Sequence, residues 1–260
     1  MSEQLKIAML SVHSCPLGNL GGRDTGGMNV YIRELAQELS KKGHMVDIYT
    51  RAHQPAHKQI ISLGHNIRLI HIETGCNEEM PKIAFYSCLQ NFICGTENFR
   101  NSIDIHYDLI HSHYWLSGLA GKQLQAWWHI PHMVMFHTLG TAKNHTGIGE
   151  DEPELRIEGE REVVHACELI TAATTREKDE LMLHYNAPSQ RIAVVPCGVN
   201  LDLFKPVDKE TARKELGLNH KKIILFVGRI EPLKGIGQLL QALSQITGKE
   251  EPSLMIGWWR

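Results

Sequence analysis

The segment HSCPLGNLGGRDTGGMNVYIRELAQEL, which covers His13–Leu39, joins an apolar run to a helical pattern through a glycine-rich loop. The apolar run before it, Ile7–Val12, has the length and composition of a buried strand. After the loop, apolar residues recur at helical spacing from Met28, and Gly43 ends the helix. This order places the loop at the carboxyl end of a strand, where open parallel sheets bind their ligands.

The same alternation of strand-length and helix-length patterns continues along residues 1–195. It predicts an α/β domain with a parallel sheet covered on both faces. The further predicted strands are Val46–Thr50, Ile67–Ile72, Leu109–His113, His132–Phe136, Leu169–Ala173 and Ile192–Val195. The further predicted helices are Lys82–Ser102, Leu116–Trp128, Glu150–Glu168 and Thr175–Leu183.

A second α/β pattern follows a segment that Pro196, Gly198 and Pro206 interrupt, which predicts a linker over residues 196–208. Its predicted elements are the strand Ile223–Val227, the loop Gly228–Lys234, the helix Ile236–Gln245 and the strand Leu254–Ile256. Two parallel strands and one crossover helix cannot bury both faces of a sheet. We therefore predict a complete first domain (1–195) and the beginning of a second (209–260), whose unpaired strand edges favour a homo-oligomer.

Composition and charge exclude several classes of protein. The 260 residues carry a net charge of −2, so no basic face predicts binding to nucleic acid or to an anionic membrane. The sequence has no signal-peptide pattern and no apolar stretch of the length of a membrane span. Its six cysteines are scattered without a C-x-x-C pair, which favours a reducing compartment. We expect a soluble, cytoplasmic protein.

Two well-known phosphate-binding motifs do not fit the glycine-rich loop. The run Gly18–Gly22 lacks the G-x-G-x-x-G spacing of a dinucleotide site, so an NAD-dependent oxidoreductase is a distant alternative. Gly21 and Gly26 have the Walker A spacing, but Gly27 and Met28 stand where Lys and Ser or Thr are required. Without that lysine nothing reaches the outer phosphates of ATP, which excludes an ATPase.

The two motifs nevertheless share a physical principle with this loop. Gly26 and Gly27 allow backbone N–H groups to approach a ligand closely at the positive end of the helix that begins near Met28. This arrangement suits an anionic ligand. The alternative is a surface loop without a function.

The loop and five later segments resemble family 4 glycosyltransferases of the GT-B fold. The opening segment MLSVHSCPLGNLGGRDTGGMNVYIRELAQELSKKGHMVDIYTR is most similar to the branch of the mycothiol-pathway inositol-phosphate N-acetylglucosaminyltransferase and sucrose-phosphate synthase. The later segments are, in order, DLIHSHYWLSGLAG (Asp108–Gly121), FHTLGTAKN (Phe136–Asn144), EPELRIEGE (Glu152–Glu160), VPCGVNLDLFKP (Val195–Pro206) and FVGRIEPLKGIGQLLQAL (Phe226–Leu243). Each segment alone is weak evidence for the family, so the assignment rests on the order and spacing of all the segments.

The resemblance implies two Rossmann-like domains that face each other across a cleft. The N-terminal domain would hold an acceptor, which carries a phosphate in the mycothiol branch, and the C-terminal domain a nucleotide sugar, usually linked to UDP. The intact enzyme would transfer a hexose or N-acetylhexosamine with retention of configuration, without a metal or another cofactor. The sequence contains no D-x-D that would hold Mg²⁺ against a diphosphate. Backbone N–H groups, Arg and Lys would then meet the phosphate charge.

The resemblance also implies roles for particular residues. The donor-binding residues would be Gly26, Gly27, Arg229 and Lys234. The acceptor-binding residues would be Tyr114, Thr138 and Arg156. The catalytic group would contain His137, beside the reacting sugar, and Asn29, at the start of the first helix. The cationic pair after a strand is well placed to stabilise a leaving diphosphate.

Each of these assignments has a purely structural alternative. His137 could be an ordinary loop histidine, and Arg156 could merely pair with acidic residues of its own helix. His111 and His113 lie on one face of a strand and imitate a metal pair, but no third ligand has a suggestive spacing. The Trp127-Trp128 pair suits a packed helix end better than a sugar platform.

The family's E-x7-E motif, which holds the donor's sugar and ribose, has only chance matches here, within the Glu-rich segment 150–168. Two domains of typical size predict roughly 350–400 residues, so we expect the motif beyond Arg260. The ending Ile256–Arg260, IGWWR, replaces a glycine-rich family sequence and suggests a frameshifted or truncated product. We expect this chain to be weakly active or inactive. The alternative function is a non-catalytic module that binds a sugar phosphate or a partner chain.

Overall fold

The computed structural model describes residues 4–18, 25–53, 58–76, 80–148, 151–218, 222–246 and 252–257. They belong to two compact units, which meet in the sequence at Cys197 and Gly198. The parts of the glycine-rich loop that contain Gly21 and Gly22, and the ending Trp258–Arg260, lie outside the described residues.

The larger unit is built on an eight-stranded sheet within the described residues. Its strands are β1 (Lys6–Ser11), β2 (Met45–Arg51), β3 (Ile60–Gly64), β4 (Ile67–Ile72), β5 (Leu109–His113), β6 (His132–Met135), β7 (Leu169–Ala172) and β8 (Ile192–Val194). Their spatial order is β3-β4-β2-β1-β5-β6-β7-β8. All neighbouring strands are parallel except β3 and β4, which are antiparallel. The chain therefore leaves β1 toward one edge of the sheet and returns to β5 to build the other half.

Helices connect these strands in the larger unit. They are α1 (Gly27–Lys41), α2 (Leu89–Ser102), α3 (Trp115–Trp128), α4 (Gly140–His145), α5 (Glu154–Ala166) and α6 (Thr175–Tyr185). Short 3-10 helices cover Lys82–Cys88 and Ser189–Arg191. None of the described helices is both long and apolar enough to cross a bilayer.

The core lies on both faces of the sheet because successive strand residues point to opposite sides. On β1, Met9 packs with Ile32 of α1 and Ile48 of β2 in one cluster. Leu10, the next residue, packs in the other cluster, which also contains Trp115 of α3. Met9 and Leu10 are both fully buried, and burial of each side chain stabilises the fold by about 1.5–3 kcal/mol. A strand that is apolar on both faces is typical of a parallel sheet covered by helices.

The smaller unit contains a parallel pair of strands, β9 (Ile223–Val227) and β10 (Ser253–Gly257). Its described helices are α7 (Lys209–Glu215) and α8 (Ile236–Leu243), with a 3-10 turn at Pro232–Lys234. Leu225 and Val227 of β9 are more than half exposed.

The structure confirms the predicted α/β class and corrects several elements. β3 and α4 were not predicted, because β3 is a short edge strand and α4 lies in a segment with few apolar residues. The predicted helix Lys82–Ser102 is α-helical only from Leu89. α7 begins immediately after the predicted linker and was also missed. The scattered cysteines gave no sign of pairing, yet the structure brings Cys76 and Cys88 together, with Cα atoms 6.3 Å apart.

Helices α3 and α5 approach each other through glycines. A Cβ atom on Gly159 of α5 would lie 2.7 Å from the Trp115 ring of α3. A Cβ atom on Gly118 of α3 would lie 2.7 Å from the Val163 side chain of α5. Real Cβ contacts are not this short, so the helices pack this closely only because these positions lack side chains.

Gly159→Ala should therefore lower the free energy of unfolding by about 1–3 kcal/mol, since Trp115 must move to admit the methyl group. Glu158→Ala is the matched control, because the neighbouring Glu158 side chain is 59% exposed. We expect the control to stay within about 0.5 kcal/mol of the unmodified protein. Urea unfolding measures both variants, and equal stabilities would show that the helices separate without cost.

Candidate functional site

The strand order defines where a ligand can bind. β1 and β5 are hydrogen-bonded neighbours, and their connections leave toward opposite halves of the sheet. In open α/β sheets, the crevice outside the carboxyl ends of such strands is the ligand-binding position. His13 follows β1, Tyr114 follows β5, and His137 and Thr138 follow β6.

Asn29 holds the end of the glycine-rich loop against the first turn of α1. Its side-chain amide donates to the Ser14 hydroxyl at 2.7 Å and to the Cys15 carbonyl at 2.6 Å. Its side-chain oxygen accepts a hydrogen bond from the Gly26 N–H at 3.0 Å. Both amide hydrogens thus bond to protein groups, and Asn29 is 1% exposed. The observed role is to shape the loop, and the catalytic role stays a prediction.

Gly26 and Gly27 lie at the N-terminus of α1. A Cβ atom added to either glycine would meet no atom of the described residues within 4 Å. The helix has 15 residues, so its aligned backbone dipoles favour negative charge at this end. The geometry is compatible with the predicted anionic ligand, but it does not by itself require glycine.

Three histidines lie together at the carboxyl ends of β5 and β6. His113 Nδ1 and His137 Nε2 are 3.0 Å apart, within hydrogen-bond distance. The rings of His111 and His113 have centroids 4.3 Å apart. Tyr31 of α1 contacts the His113 and His137 rings edge-on, with centroids 5.8 and 5.3 Å away. Since the structure joins His137 to His113 and Tyr31, it is part of a packed cluster.

Burial keeps this cluster neutral. Loss of solvation lowers the pKa of His137 to about 4. Burial, followed by the nearby His137 and His132 rings, lowers the pKa of His111 to about 3. Burial also holds the pKa of His113 well below its usual value. A neutral His137 offers one N–H donor and one nitrogen acceptor, which suits a hydrogen bond to a sugar hydroxyl better than neutralisation of a phosphate.

Arg156 is buried at the start of α5 and is 2% exposed. Its Nε donates to Glu160 at 2.8 Å, and its Nη1 lies 2.9 Å from a Glu152 oxygen. Its Nη2 donates to the carbonyl and hydroxyl oxygens of Thr138 at 2.8 and 3.1 Å. Its guanidinium carbon lies 4.9 Å from the Tyr114 ring centroid. The structure therefore brings together Tyr114, Thr138 and Arg156, the three residues predicted to bind the acceptor.

The alternative for Arg156, pairing with acids of its own helix, is also observed. Glu152 and Glu160 are each four residues from Arg156 and contact its guanidinium. Glu152 also pairs with Lys143 of α4. The two interpretations are compatible, because a guanidinium has five N–H donors and these contacts do not use all of them.

His13 is buried near several cationic side chains. The His13 ring lies 4.2 Å from the Tyr114 ring, centroid to centroid, and the residue is 5% exposed. Burial first, and then the neighbouring Lys82, His137, Arg156 and Arg51, hold the pKa of His13 well below its usual value. Cations near a buried neutral ring make this place favourable for an anion. The sequence analysis missed Lys82 and Arg51, since neither stands in a recognisable spacing.

Arg229 and Lys234 lie in the smaller unit. Arg229 follows β9 and pairs with Glu231 at 3.0 Å. Lys234 is the last residue of the 3-10 turn that precedes α8. Gly235, which lies between the turn and the helix, has φ +74°, in the left-handed region. Both cations are therefore found between a strand end and a helix start, as the sequence pattern predicts.

Packing explains one residue of the Trp127-Trp128 pair. Trp128 donates from its ring nitrogen to Glu97 and stacks on Tyr107 with ring centroids 5.5 Å apart. It is thus part of a packed helix end, whereas Trp127 is 41% exposed. Throughout the described ranges, no three His, Cys, Asp or Glu side chains are grouped closely enough to hold a metal ion.

A mainly parallel α/β sheet whose strand order reverses between β1 and β5 defines a Rossmann-like domain of the GT-B class. The chain belongs to glycosyltransferase family 4, whose family model matches residues 25–203.

Curated relatives support this assignment. The chain is 38% identical over 252 residues to D-inositol 3-phosphate glycosyltransferase of Corynebacterium glutamicum, covering 95% of this chain and 60% of the relative. It is 40% identical over 254 residues to the enzyme of the same name from Streptomyces scabiei, covering 96% of this chain and 57% of the relative. The chain thus spans about 60% of the length of these curated relatives.

Solved structures show the same architecture. Sucrose-phosphate synthase from Thermosynechococcus elongatus superposes with a TM-score of 0.86 at 29% identity, covering 97% of this chain and 62% of that one. Anabaena Alr3699/HepE, in complex with UDP and glucose, superposes with a TM-score of 0.65 at 15% identity, covering 97% of this chain and 60% of that one. At that identity the second likeness shows the fold alone.

The depressed pKa of His137 predicts a loss of stability in acid. In the unfolded chain a histidine titrates near pH 6.5, but in the folded protein His137 titrates at about 4. Between these values the unfolded state binds more protons, so the free energy of unfolding falls as the pH falls. The slope approaches about 1.4 kcal/mol per pH unit for each such histidine.

Urea unfolding between pH 7 and 4.5 measures this slope. His137→Asn is the matched variant, because asparagine tolerates the positive φ of 63° at this position. We expect a shallower pH dependence in the variant. An identical slope in both proteins would show that His137 is not held neutral by the fold.

Proposed function

We propose that this chain supplies the acceptor-binding part of a retaining glycosyltransferase that transfers a sugar from a UDP-sugar to an inositol phosphate. The observation that carries the proposal is that Tyr114 contacts both the buried His13 ring and the buried Arg156 guanidinium. The names of the curated relatives support an inositol phosphate as the acceptor.

In this proposal the acceptor phosphate binds to the free donor capacity of Arg156, to Thr138 and to the neighbouring cations. Charged hydrogen bonds of this kind contribute roughly 1.5–3 kcal/mol each. Tyr114 supports the guanidinium through its ring face, whose negative potential attracts a cation. The sugar part of the acceptor then lies near the carboxyl ends of the central strands.

The roles of the donor-binding residues are taken from the resemblance to family 4 glycosyltransferases. Arg229 and Lys234 would neutralise the diphosphate as it leaves, and the N–H groups at Gly26 and Gly27 would add positive potential. Neutral His137 would bond a hydroxyl of the transferred sugar. In a retaining reaction of this type, the acceptor oxygen attacks from the face that the diphosphate leaves, and a diphosphate oxygen takes its proton. The proposed reaction needs no metal, since side-chain cations meet the phosphate charge.

Calorimetric titration with D-inositol 3-phosphate tests the acceptor part of the proposal. We expect binding to the 260-residue protein and a loss of at least about tenfold in affinity for Arg156→Ala, which removes a charged hydrogen bond. Arg156→Lys, which keeps the charge, tests the contribution of the planar guanidinium. Arg161→Ala is the matched control, because Arg161 lies on the same helix and is 40% exposed.

The same samples test turnover through release of UDP from UDP-glucose or UDP-N-acetylglucosamine. Acceptor binding with little or no UDP release agrees with the expected weak activity of this chain. Rapid UDP release would contradict that expectation. No binding of D-inositol 3-phosphate by the unmodified protein would overturn the acceptor assignment.

A further inference from the structure

Glu160 is a carboxylate in the interior of the larger unit, with 0% exposure. A buried carboxylate is costly unless it is paired and hydrogen-bonded. Sequence resemblance assigns no role to Glu160, and it lies outside every predicted site group. Its partners therefore decide what it does.

Three elements donate hydrogen bonds to this one side chain. Arg156 of α5 donates from Nε at 2.8 Å. The backbone N–H of Gly140, the first residue of α4, donates at 2.9 Å to Oε2. The hydroxyl of Tyr185, the last residue of α6, also donates to Oε2. The carboxylate thus joins α4, α5 and α6 at one point.

The bond to Gly140 fixes the turn that carries the candidate site. This turn runs from the end of β6 through His137 and Thr138 to the start of α4. Its backbone is unusual, since His137 has φ +63°, a conformation that non-glycine residues rarely adopt. Such a conformation persists only where the surroundings impose it. Glu160 holds the far end of the turn through Gly140, and Arg156 holds its middle through Thr138.

Glu152 also pairs with Arg156, but its exposure and its other contacts differ from those of Glu160. Its side chain is 17% exposed, and it is shared between Arg156 and Lys143. No hydrogen bond in the described part of the chain joins it to the turn at His137–Gly140. Glu152 can neutralise charge, whereas Glu160 bonds both to the guanidinium of Arg156 and to the backbone N–H of Gly140.

We propose that Glu160 is a positioning residue that sets the orientation of Arg156 and of the His137–Gly140 turn for acceptor binding. This inference rests on the proposed function. Glutamine in place of Glu160 has nearly the same shape, but it lacks the charge and replaces one acceptor oxygen with a donor. It cannot accept from Arg156, Gly140 and Tyr185 together, so the guanidinium and the turn lose their common anchor.

The experiment compares Glu160→Gln with Glu158→Gln by calorimetric titration with D-inositol 3-phosphate. Glu158 lies on the same helix, is exposed and pairs with Arg161, so it controls for loss of a glutamate charge. We expect about a tenfold or greater loss of affinity in Glu160→Gln, from one charged hydrogen bond, and no change in Glu158→Gln. Unchanged affinity in a folded Glu160→Gln protein would overturn the inference.

A spectroscopic signal separates positioning from general loss of stability. The Nε–H resonance of Arg156, identified by its absence in Arg156→Lys, should be visible in the unmodified protein, because a buried ion pair protects it from exchange. We expect it to shift in Glu160→Gln and to stay in place in Glu158→Gln. Absence of this resonance from the unmodified protein at neutral pH would also overturn the inference.

Glu160→Asp covers the case in which Glu160→Gln does not fold. Aspartate keeps the charge but withdraws the carboxylate by one methylene, so affinity should still fall while the fold is kept. Affinity equal to that of the unmodified protein would contradict the inference. Failure of the unmodified protein to bind D-inositol 3-phosphate would overturn the proposed function as well, whereas normal binding by both Glu160 variants would overturn the positioning role alone.

Discussion

The structure depends on a sheet that is buried on both faces and reverses its strand order beside β1. Parallel strands all present their carboxyl ends at one edge, and the reversal between β1 and β5 opens a crevice there. Met9 and Leu10 on opposite faces of β1 anchor the two cores. Because the strand is fixed from both sides, the residues that follow β1, β5 and β6 are held at defined places, and the candidate site is built from them.

The site combines a cluster of neutral histidines with a buried, ion-paired arginine. His111, His113 and His137 form a neutral cluster, since loss of solvation disfavours their charged forms. Nearby, the buried guanidinium of Arg156 is paired with the carboxylates of Glu152 and Glu160. The proposed acceptor would therefore meet a neutral hydrogen-bonding histidine and a buried guanidinium close together.

Much of the fold could be predicted from the sequence, but the site only in part. The strands Ile67–Ile72 and Leu109–His113 were predicted to the residue, because each begins with an apolar residue after a polar one and fits strand length. β3 was missed although Ile60, Ile61 and Leu63 are apolar, since it is a short antiparallel edge strand outside the strand–helix alternation. The resemblance singled out Tyr114, Thr138 and Arg156, which the structure brings together. The roles of the donor residues stay predictions.

The sequence by itself determined the α/β class, the membership in glycosyltransferase family 4 and the identity of most candidate residues, because periodicity and local motifs are properties of neighbours along the chain. Only the tertiary structure decided what those residues contact. Asn29 is occupied by the glycine-rich loop, and Lys82 and Arg51 act on His13. Glu160 of α5 bonds to α4 through Gly140 and to α6 through Tyr185, which lie 20 and 25 positions away. Such contacts follow from packing between distant segments, which no local pattern encodes.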